Sequence, residues 1–519
     1  MSNHSWKRII LGIIFLFLSI FYAVLFYQRA NFGETMIFNI AHLKSLGNIF
    51  TSPINFNYWN HSGSQINLFS PWLTILSGWI FVNINVPYGF TIYLAIITFL
   101  TFVSAYYFMN KFSKDTLESL LFSVIYTFSL NRFNLVFQNQ RLENYLVLIF
   151  LPMIYFGAYQ LFNNRDWHIL TWGLVLAIWT APYIALAVVI TLVPMFFAMI
   201  FKRTSHHWQY WGMLCLNIVK LMSITLITTV GYWGPLVKQS SNKMVQDPIK
   251  NVDYFKWFDQ FNFSQLQRYL LLSIVILLGL LLIIIFLKSK FSYKILLLET
   301  LPLTAAILFP IKLQFADASR LVFAFQIILE IFLIIIVSRI AILICQEMPS
   351  ILKLLLVAIA TIGFSSLVYS QSTQLHAPKT IAMANAKYEK FVVDYHDKAT
   401  NGKNQFLVNG QKTSVSFYTK ANDYWIQYYN PKSVILDLPI QKYSGYKIQL
   451  NNENVKTSIS KRGTIQLRTH PGKSIVEIHT QYDWLGIGSL LLNLLGIMYL
   501  VYLSIKDLSW KKKKIPKNS

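Results

Sequence analysis

"MSNHSWKRIILGIIFLFLSIFYAVLFYQ", residues 1–28, is the stretch on which the fold class turns. Lys7 and Arg8 precede an apolar run that continues almost to Gln28. The run is too long for the core of a cleaved secretory signal, and no small-residue cleavage site follows it. It is therefore expected to persist as a first membrane helix. About 20 mostly apolar residues in a helix cross a bilayer, with every backbone polar group paired inside the segment.

The rest of the chain repeats this signal. The 519 residues are 55% hydrophobic and 16% aromatic. Only 13% are charged, where a soluble domain carries about a quarter. Scanning for apolar runs gives about twelve spans. They fall near residues 8–27, 86–109, 115–131, 143–162, 167–182, 184–201, 211–235, 266–287, 293–311, 319–344, 352–370 and 483–505.

Charge placement orients the bundle. With the N-terminus inside, the inner segments hold Lys7 and Arg8, Lys111 and Lys114, Arg165, then Lys202 and Arg203. They continue with Lys288, Lys290 and Lys294, then Lys353, Lys506 and the run Lys511 to Lys514. Each inner loop carries a cation, as the positive-inside rule requires, so both termini are expected in the cytoplasm and the protein in the plasma membrane. The formal charge of +24 is then topology signalling and attraction to membrane lipids. No basic stretch lies on a nucleic-acid-reading module, so nucleic acid is not an expected partner. Cys215 and Cys345 both lie in or beside apolar runs, which leaves no disulfide framework and no thiolate metal site.

Three outer segments are long. Residues 28–85 end in an apolar piece from Pro71 to about Phe81, too short to cross and expected to lie at the interface. Tyr58, Trp59 and Trp72 suit that depth. The second outer segment runs from Val237 to Gln265. Residues 371–482 are the third and could form a soluble domain. "NQFLVNG", "SVSFYT", "YKIQL", "GTIQLRT" and "SIVEIHT" alternate with period two, separated by "NGQK", "NNEN", "KRG" and "HPGK". That pattern predicts a β-sandwich-like fold after one helix over residues 376–400. The expected organisation is a membrane domain (1–370), the outer β domain (371–482), and a last helix with a basic cytoplasmic tail (483–519).

No nucleophile elbow, phosphate-binding loop, HExxH or CxxC stands out. What remains is ionic residues at the outer ends of apolar helices, where charge is costly and marks candidate sites. Glu34, in "NFGETMIFNIAHLKSL", is a candidate general base beside its plainer reading as an exposed loop acid. "SLNRFNLVFQNQRLENYLVLIFLP" carries Arg132, Arg141 and Glu143. An arginine fork matches phosphate oxygens; the competing reading is interfacial cations reaching for water, with Glu143 pairing one of them. "FPIKLQFADASRLVFAF" carries Lys312, Asp317 and Arg320, where Arg320 either pairs Asp317 three residues away or binds phosphate. Glu330, deeper in the same helix, needs a partner or a proton. His61 is a candidate acid or ligand. These outer clusters are expected to converge on one hollow open to the outer leaflet.

"FGETMIFNIAHLKSL", "GSQINLFSPW", "SLNRFNLVFQNQRLENYLVLIFLP", "LQFADASRL" and the long stretch "VILDLPIQKYSGYKIQLNNENVKTSISKRGTIQLRTHPGKSIVEIHT" together carry a resemblance. The chain resembles the bacterial polytopic membrane proteins called 6-pyruvoyl-tetrahydropterin synthase-related, themselves similar to YfhO-like proteins. The resemblance implies a GT-C-like fold and transfer of a sugar from a polyprenyl-phosphate carrier to a cell-wall or teichoic-type polymer outside the cell. It implies no certain cofactor beyond that lipid-linked sugar and leaves divalent metal unassigned. A family Gly-(His)-Asp motif followed by Phe-His falls at Gly33-Glu34 and Phe38-Asn39, which makes Glu34 catalytic and Asn39 a substrate contact. A later Ser-His pair falls at Thr180-Ala181, and "RLENY" replaces an Arg-x-x-x-Gly-Glu pattern.

The expected function is thus a membrane glycosyltransferase with Glu34 as base and Arg132, Arg141, Glu143, Arg320, Asn39 and His61 on the substrate. The alternative is an inactive scaffold or a lipid-linked-saccharide transporter. That alternative is motivated by residues 371–480, which hold 15 Lys and Arg against 7 Asp and Glu and would face anionic wall polymers.

Overall fold

An apolar run that leaves water has to close its own backbone hydrogen bonds, and a helix does so within the segment. The computed structural model of the chain describes residues 3–164, 166–202, 208–240, 288–308, 318–375, 380–390, 405–443 and 445–513. It is mostly helical, with a β-rich C-terminal domain. Seven described helices are long and apolar enough to cross a membrane: Trp6–Arg29, Val86–Ser113, Thr116–Asn139, Tyr210–Lys238, Arg320–Ile344, Ser350–Thr373 and Trp484–Lys506.

The other expected spans differ for separate reasons. The segment expected at 143–162 is broken into Leu142–Ile149 and Leu151–Asn164, bent by 41°, and makes an eighth span if counted as one. His168–Ile178 is apolar but shorter than a full crossing, whereas Pro182–Lys202 is an apolar helix of 21 residues over the span expected at 184–201. Phe291–Leu308 is an 18-residue helix that carries Lys294 and Glu299 over the span expected at 293–311. The run 266–287 lies outside the described residues.

The chain divides into two units. The first comprises Met1–Asn31, Leu94–Ser223 and Asn251–Pro378. Its core is aliphatic and aromatic, with Ile327, Ile328 and Phe332 of the helix Ala318–Ile344 among its buried residues. Close packing without a hydrophobic driving force needs small residues at the crossings. Gly157 and Gly173 supply them where Leu151–Asn164 meets His168–Ile178. A Cβ on Gly157 would come within 2.5 Å of the Leu170 backbone nitrogen, and one on Gly173 within 2.6 Å of Ile154.

The second unit comprises Phe32–Tyr93, Ile224–Lys250 and Lys379–Ser519. Ten strands make two five-stranded sheets: β1 Phe406–Val408, β2 Gln411–Thr413, β3 Ser416–Lys420, β4 Asp423–Asn430, β5 Ile435–Gln441, β6 Tyr446–Leu450, β7 Glu453–Asn454, β8 Ser458–Ile459, β9 Thr464–Arg468 and β10 Gly472–Thr480. The orders are β2-β1-β5-β9-β8 and β3-β4-β10-β6-β7, and the pairings are antiparallel. Turn chemistry sets the register. Asn409 and Gly410 both take positive φ between β1 and β2, the geometry of a tight hairpin turn.

Between the sheets lies one core that includes Phe406, Leu436 and Leu467 of the first sheet and Tyr424, Ile448 and Val476 of the second. The same core takes in Ile54 and Phe56 from the long first loop, which is therefore part of the β domain. The Phe56 amide donates to the Ala421 carbonyl at 2.6 Å, and Tyr482 donates to Thr51 at 3.3 Å. Trp59 and Trp72, expected at the lipid interface, are instead buried within the protein. The expected interfacial piece is a nine-residue helix, Leu76–Ile84. Of the helix expected over 376–400, the described part is Thr380–Asn385 with a single turn at Tyr388–Lys390. Lys238 pairs with Asp483, just ahead of the last helix, Trp484–Lys513.

Candidate functional site

Residues 129–152, where the span Thr116–Asn139 gives way to Leu142–Ile149, carry irregular helical backbone. Ser129 caps a four-residue helix, Leu130–Phe133, its hydroxyl accepting from the Arg132 amide at 3.2 Å. A π-helical turn follows over Asn134–Asn139, and Gln140 takes a left-handed φ of 55°. Helix resumes at Leu142–Leu146 and bends again before Leu151–Asn164, whose second residue, Pro152, has no N–H to donate. Side chains satisfy the exposed carbonyls: Gln140 Nε2 donates to Asn31 at 2.6 Å, Tyr126 Oη to Leu148 at 2.8 Å, and Ser104 Oγ to Ile149 at 2.5 Å. Irregular backbone at membrane depth survives only where protein or a polar cavity surrounds it, and π turns are enriched at functional sites.

The two arginines of this segment have different surroundings. Arg132 is 1% exposed, with Nη1 donating to the Thr127 carbonyl and Nη2 to the Thr98 hydroxyl, both at 3.0 Å. Its guanidinium lies over the Tyr22 ring at 4.7 Å. This is a buried cation locking three helices, which corrects the reading of an interfacial cation reaching for water. Its neighbour Asn131 donates to Glu330 Oε2 at 2.7 Å, the partner that Glu330 needed.

Arg141 is also buried, at 8% exposure, yet its guanidinium makes no hydrogen bond or ion pair with any described residue. Three residues on, Asn144 is fully buried; Tyr183 donates to its Oδ1, while its Nδ2 has no described partner. Glu143, half-buried in the same turn, pairs with neither arginine. Arg141 and the Asn144 amide thus offer unspent hydrogen-bond donors on one turn, a combination suited to an anion. Arg320 lies half-buried in the first turn of Ala318–Ile344 and is engaged. Lys312 and Asp317 lie outside the described residues, as does the expected Asp317–Arg320 pair.

Glu34, Asn39 and His61 belong to the second unit. Glu34 opens the helix Glu34–Ser45 and is exposed, where a carboxylate favours the helix dipole and where it makes no hydrogen bond to a described residue. Asn39 is 2% exposed and engaged within the protein. One turn later His42 is buried with Nε2 unpartnered among the described residues, and burial pushes its pKa down to about 4. His61 sits in a turn where Trp59, Asn60 and His61 all have positive φ. Its Nδ1 lies 2.7 Å from the Phe56 carbonyl and its ring packs edge-on against Phe417, so it fastens the first loop to the β domain. Burial lowers its pKa.

Among the buried ionic groups that escaped the sequence reading is Glu118. It is 0% exposed and accepts from Tyr293 Oη at 2.6 Å and Arg339 Nη1 at 3.1 Å, while Arg339 lies over the Tyr293 ring at 5.2 Å. The signal was available: an acid and an arginine, each inside an apolar helix, call for partners. Beside it lies an apolar cavity of about 80 Å³ walled by Phe112, Phe122, Tyr159, Leu296 and Ile335. Among the described residues no three His, Cys, Asp or Glu side chains are grouped to hold a metal ion. No protein-family model and no curated protein matches the chain.

Proposed function

We propose that the protein is an integral membrane glycosyltransferase, GT-C-like, that moves a sugar from a polyprenyl-phosphate carrier to a cell-envelope polymer at the outer face of the plasma membrane. One observation carries the reading: Arg141 is buried in the short link between the span Thr116–Asn139 and the helix that starts at Leu142, with no described counter-ion. Its guanidinium nitrogens are not sealed off and carry no described partner, so a lipid-linked phosphate reaching them would supply the missing charge. In the reaction, an acceptor hydroxyl attacks the anomeric carbon of the sugar. The bond from that carbon to the phosphate oxygen breaks, and its electron pair leaves with the phosphate. Arg141 steadies the developing charge and the Asn144 amide adds a second donor.

Glu34 is the candidate base for the hydroxyl proton; its exposure leaves it accessible to water, and it is tested by its own variant. Arg132 leaves the substrate-binding set, since its guanidinium is sealed inside the protein, and His61, half-buried with Nδ1 at the Phe56 carbonyl, is read as a fastening of the first loop. The reading keeps both termini in the cytoplasm and about twelve spans, with the basic inner loops in support. In a deletion strain, wild-type protein should restore polymer decoration, whereas R141Q and E34Q should leave charged carrier unconsumed. Equal restoration by R141Q would refute the assignment.

A scaffold or lipid-linked-saccharide transporter is the second reading, favoured by a buried Asn39 where the resemblance implies histidine. Carrier analysis separates the two, because loss of a scaffold leaves sugar transfer to the polymer intact.

A further inference from the structure

The outward face of the sheet β3-β4-β10-β6-β7 is used by nothing above. Side chains alternate across a strand, so with Tyr424 and Ile426 in the core, Trp425, Gln427 and Tyr429 of β4 point outward. The register places Tyr418 opposite Trp425 on one side and Glu477 opposite it on the other, with Gln449 beyond Glu477. The Tyr418 and Trp425 rings lie near-parallel with centroids 5.4 Å apart. Tyr418 and Tyr429 are 62% and 70% exposed. Around this aromatic strip stand Lys473, opposite Tyr429, and the row Lys420, Asp423, His479 and Lys447.

We propose that this face binds an extended, negatively charged polysaccharide. A pyranose ring has an apolar C–H face that packs on a flat aromatic ring, and a rim of hydroxyls that suits the planar amides and carboxylates of Gln427, Gln449 and Glu477. Trp425 and Tyr429 are four residues apart along one strand, about 13 Å, so the strip holds more than one sugar of a chain rather than a single ring. Lys420, Lys447 and Lys473 outnumber the acids Asp423 and Glu477 on the face, and the domain as a whole is basic, which selects a polymer bearing acidic groups. A lipid surface fits less well, because Glu477 and the amides interrupt the aromatic strip. The inference deepens the transferase reading, on which it rests only for the statement that the bound chain is the acceptor.

The test uses the full chain in nanodiscs, since Ile54 and Phe56 tie the β domain to the first loop. Titration with polygalacturonate oligosaccharides should quench tryptophan fluorescence saturably, and an uncharged β-glucan oligosaccharide of equal length should bind more weakly. W425A and Y429A should each weaken polygalacturonate binding about tenfold. K447Q/K473Q should weaken it and flatten its salt dependence. These side chains point outward, so the variants should keep the wild-type unfolding temperature. Absence of saturable binding, equal binding by W425A, or equal affinity for the uncharged chain would overturn the proposal. No donor is present in this assay, so R141Q should bind the polymer normally even if it transfers nothing. Failure of the transferase reading is thereby kept apart from failure of this one.

Discussion

Replacing Glu118 by leucine should be among the most damaging single changes in the first unit. The carboxylate is fully buried and receives two donors, the Tyr293 hydroxyl at 2.6 Å and Arg339 Nη1 at 3.1 Å. Its loss leaves Arg339, whose side chain is only 19% exposed, without a counter-charge, and the tyrosine hydroxyl without its acceptor. Breaking a buried pair by removing one partner costs about 3–5 kcal/mol. Replacing both ions by apolar residues of similar size is often near neutral, so the double variant E118L/R339M should recover most of that loss. Cys345 is buried at the end of the helix that carries Arg339, whereas Cys215 is exposed. In a C215A background, a thiol-reactive dye therefore reads unfolding through Cys345. E118L should lower the midpoint by on the order of 10 °C, with E118L/R339M close to the parent. A double variant as unstable as E118L would refute the reasoning, because the damage would then come from lost shape and not from an abandoned charge.

Other consequences follow from the same physics. Phe56 is fully buried in the core between the two sheets, so F56A should destabilise the β domain by about 3–5 kcal/mol, read as protease cleavage within residues 405–482 while the helices persist. His42 resists protonation in the fold, its pKa held at about 4 by burial, while the unfolded residue titrates near 6.5. Stability from this residue is therefore intact above about pH 6.5 and declines as pH falls, by about 3 kcal/mol in all before levelling off near pH 4; H42Q should flatten that acid limb of an unfolding-midpoint profile. At Gly157, where an added Cβ meets backbone rather than a movable side chain, G157A should cost about 1–3 kcal/mol, whereas alanine at the open position Gly363 should cost little.

How much of this was legible in the sequence varied with the physical source of each feature. Strands with one wet face announce themselves by alternation, and the five runs noted in the sequence fall on β1, β3, β6, β9 and β10, short of the ends of β3 and β10. β4 was missed because aromatic residues occupy both its faces, Tyr424 inward and Trp425 outward. β5 was missed because six of its seven residues are buried, which erases the period-two signal, and Pro439 interrupts it. Apolar runs located most helices but not their breaks, since hydropathy averages over a π turn and a left-handed Gln140. In the site, "NQRLENY" was recognisable as polar sequence between the ends of two apolar helices. Which arginine is locked was not, because Arg132 is fixed by Thr98 and Tyr22, and Glu118 by Arg339, 221 residues away. Burial of Asn39 and the fastening of His61 likewise depend on packing that no local pattern encodes.

The transferase account stands or falls on what Arg141 holds. Equilibrium binding of a polyprenyl phosphate to the full chain in nanodiscs, compared among wild type, R141K and R141Q, tests it most directly. The account predicts saturable binding that R141K partly keeps, as a point charge without the fork, and that R141Q loses by at least tenfold with an unchanged unfolding midpoint. Binding of equal strength by R141Q would contradict it.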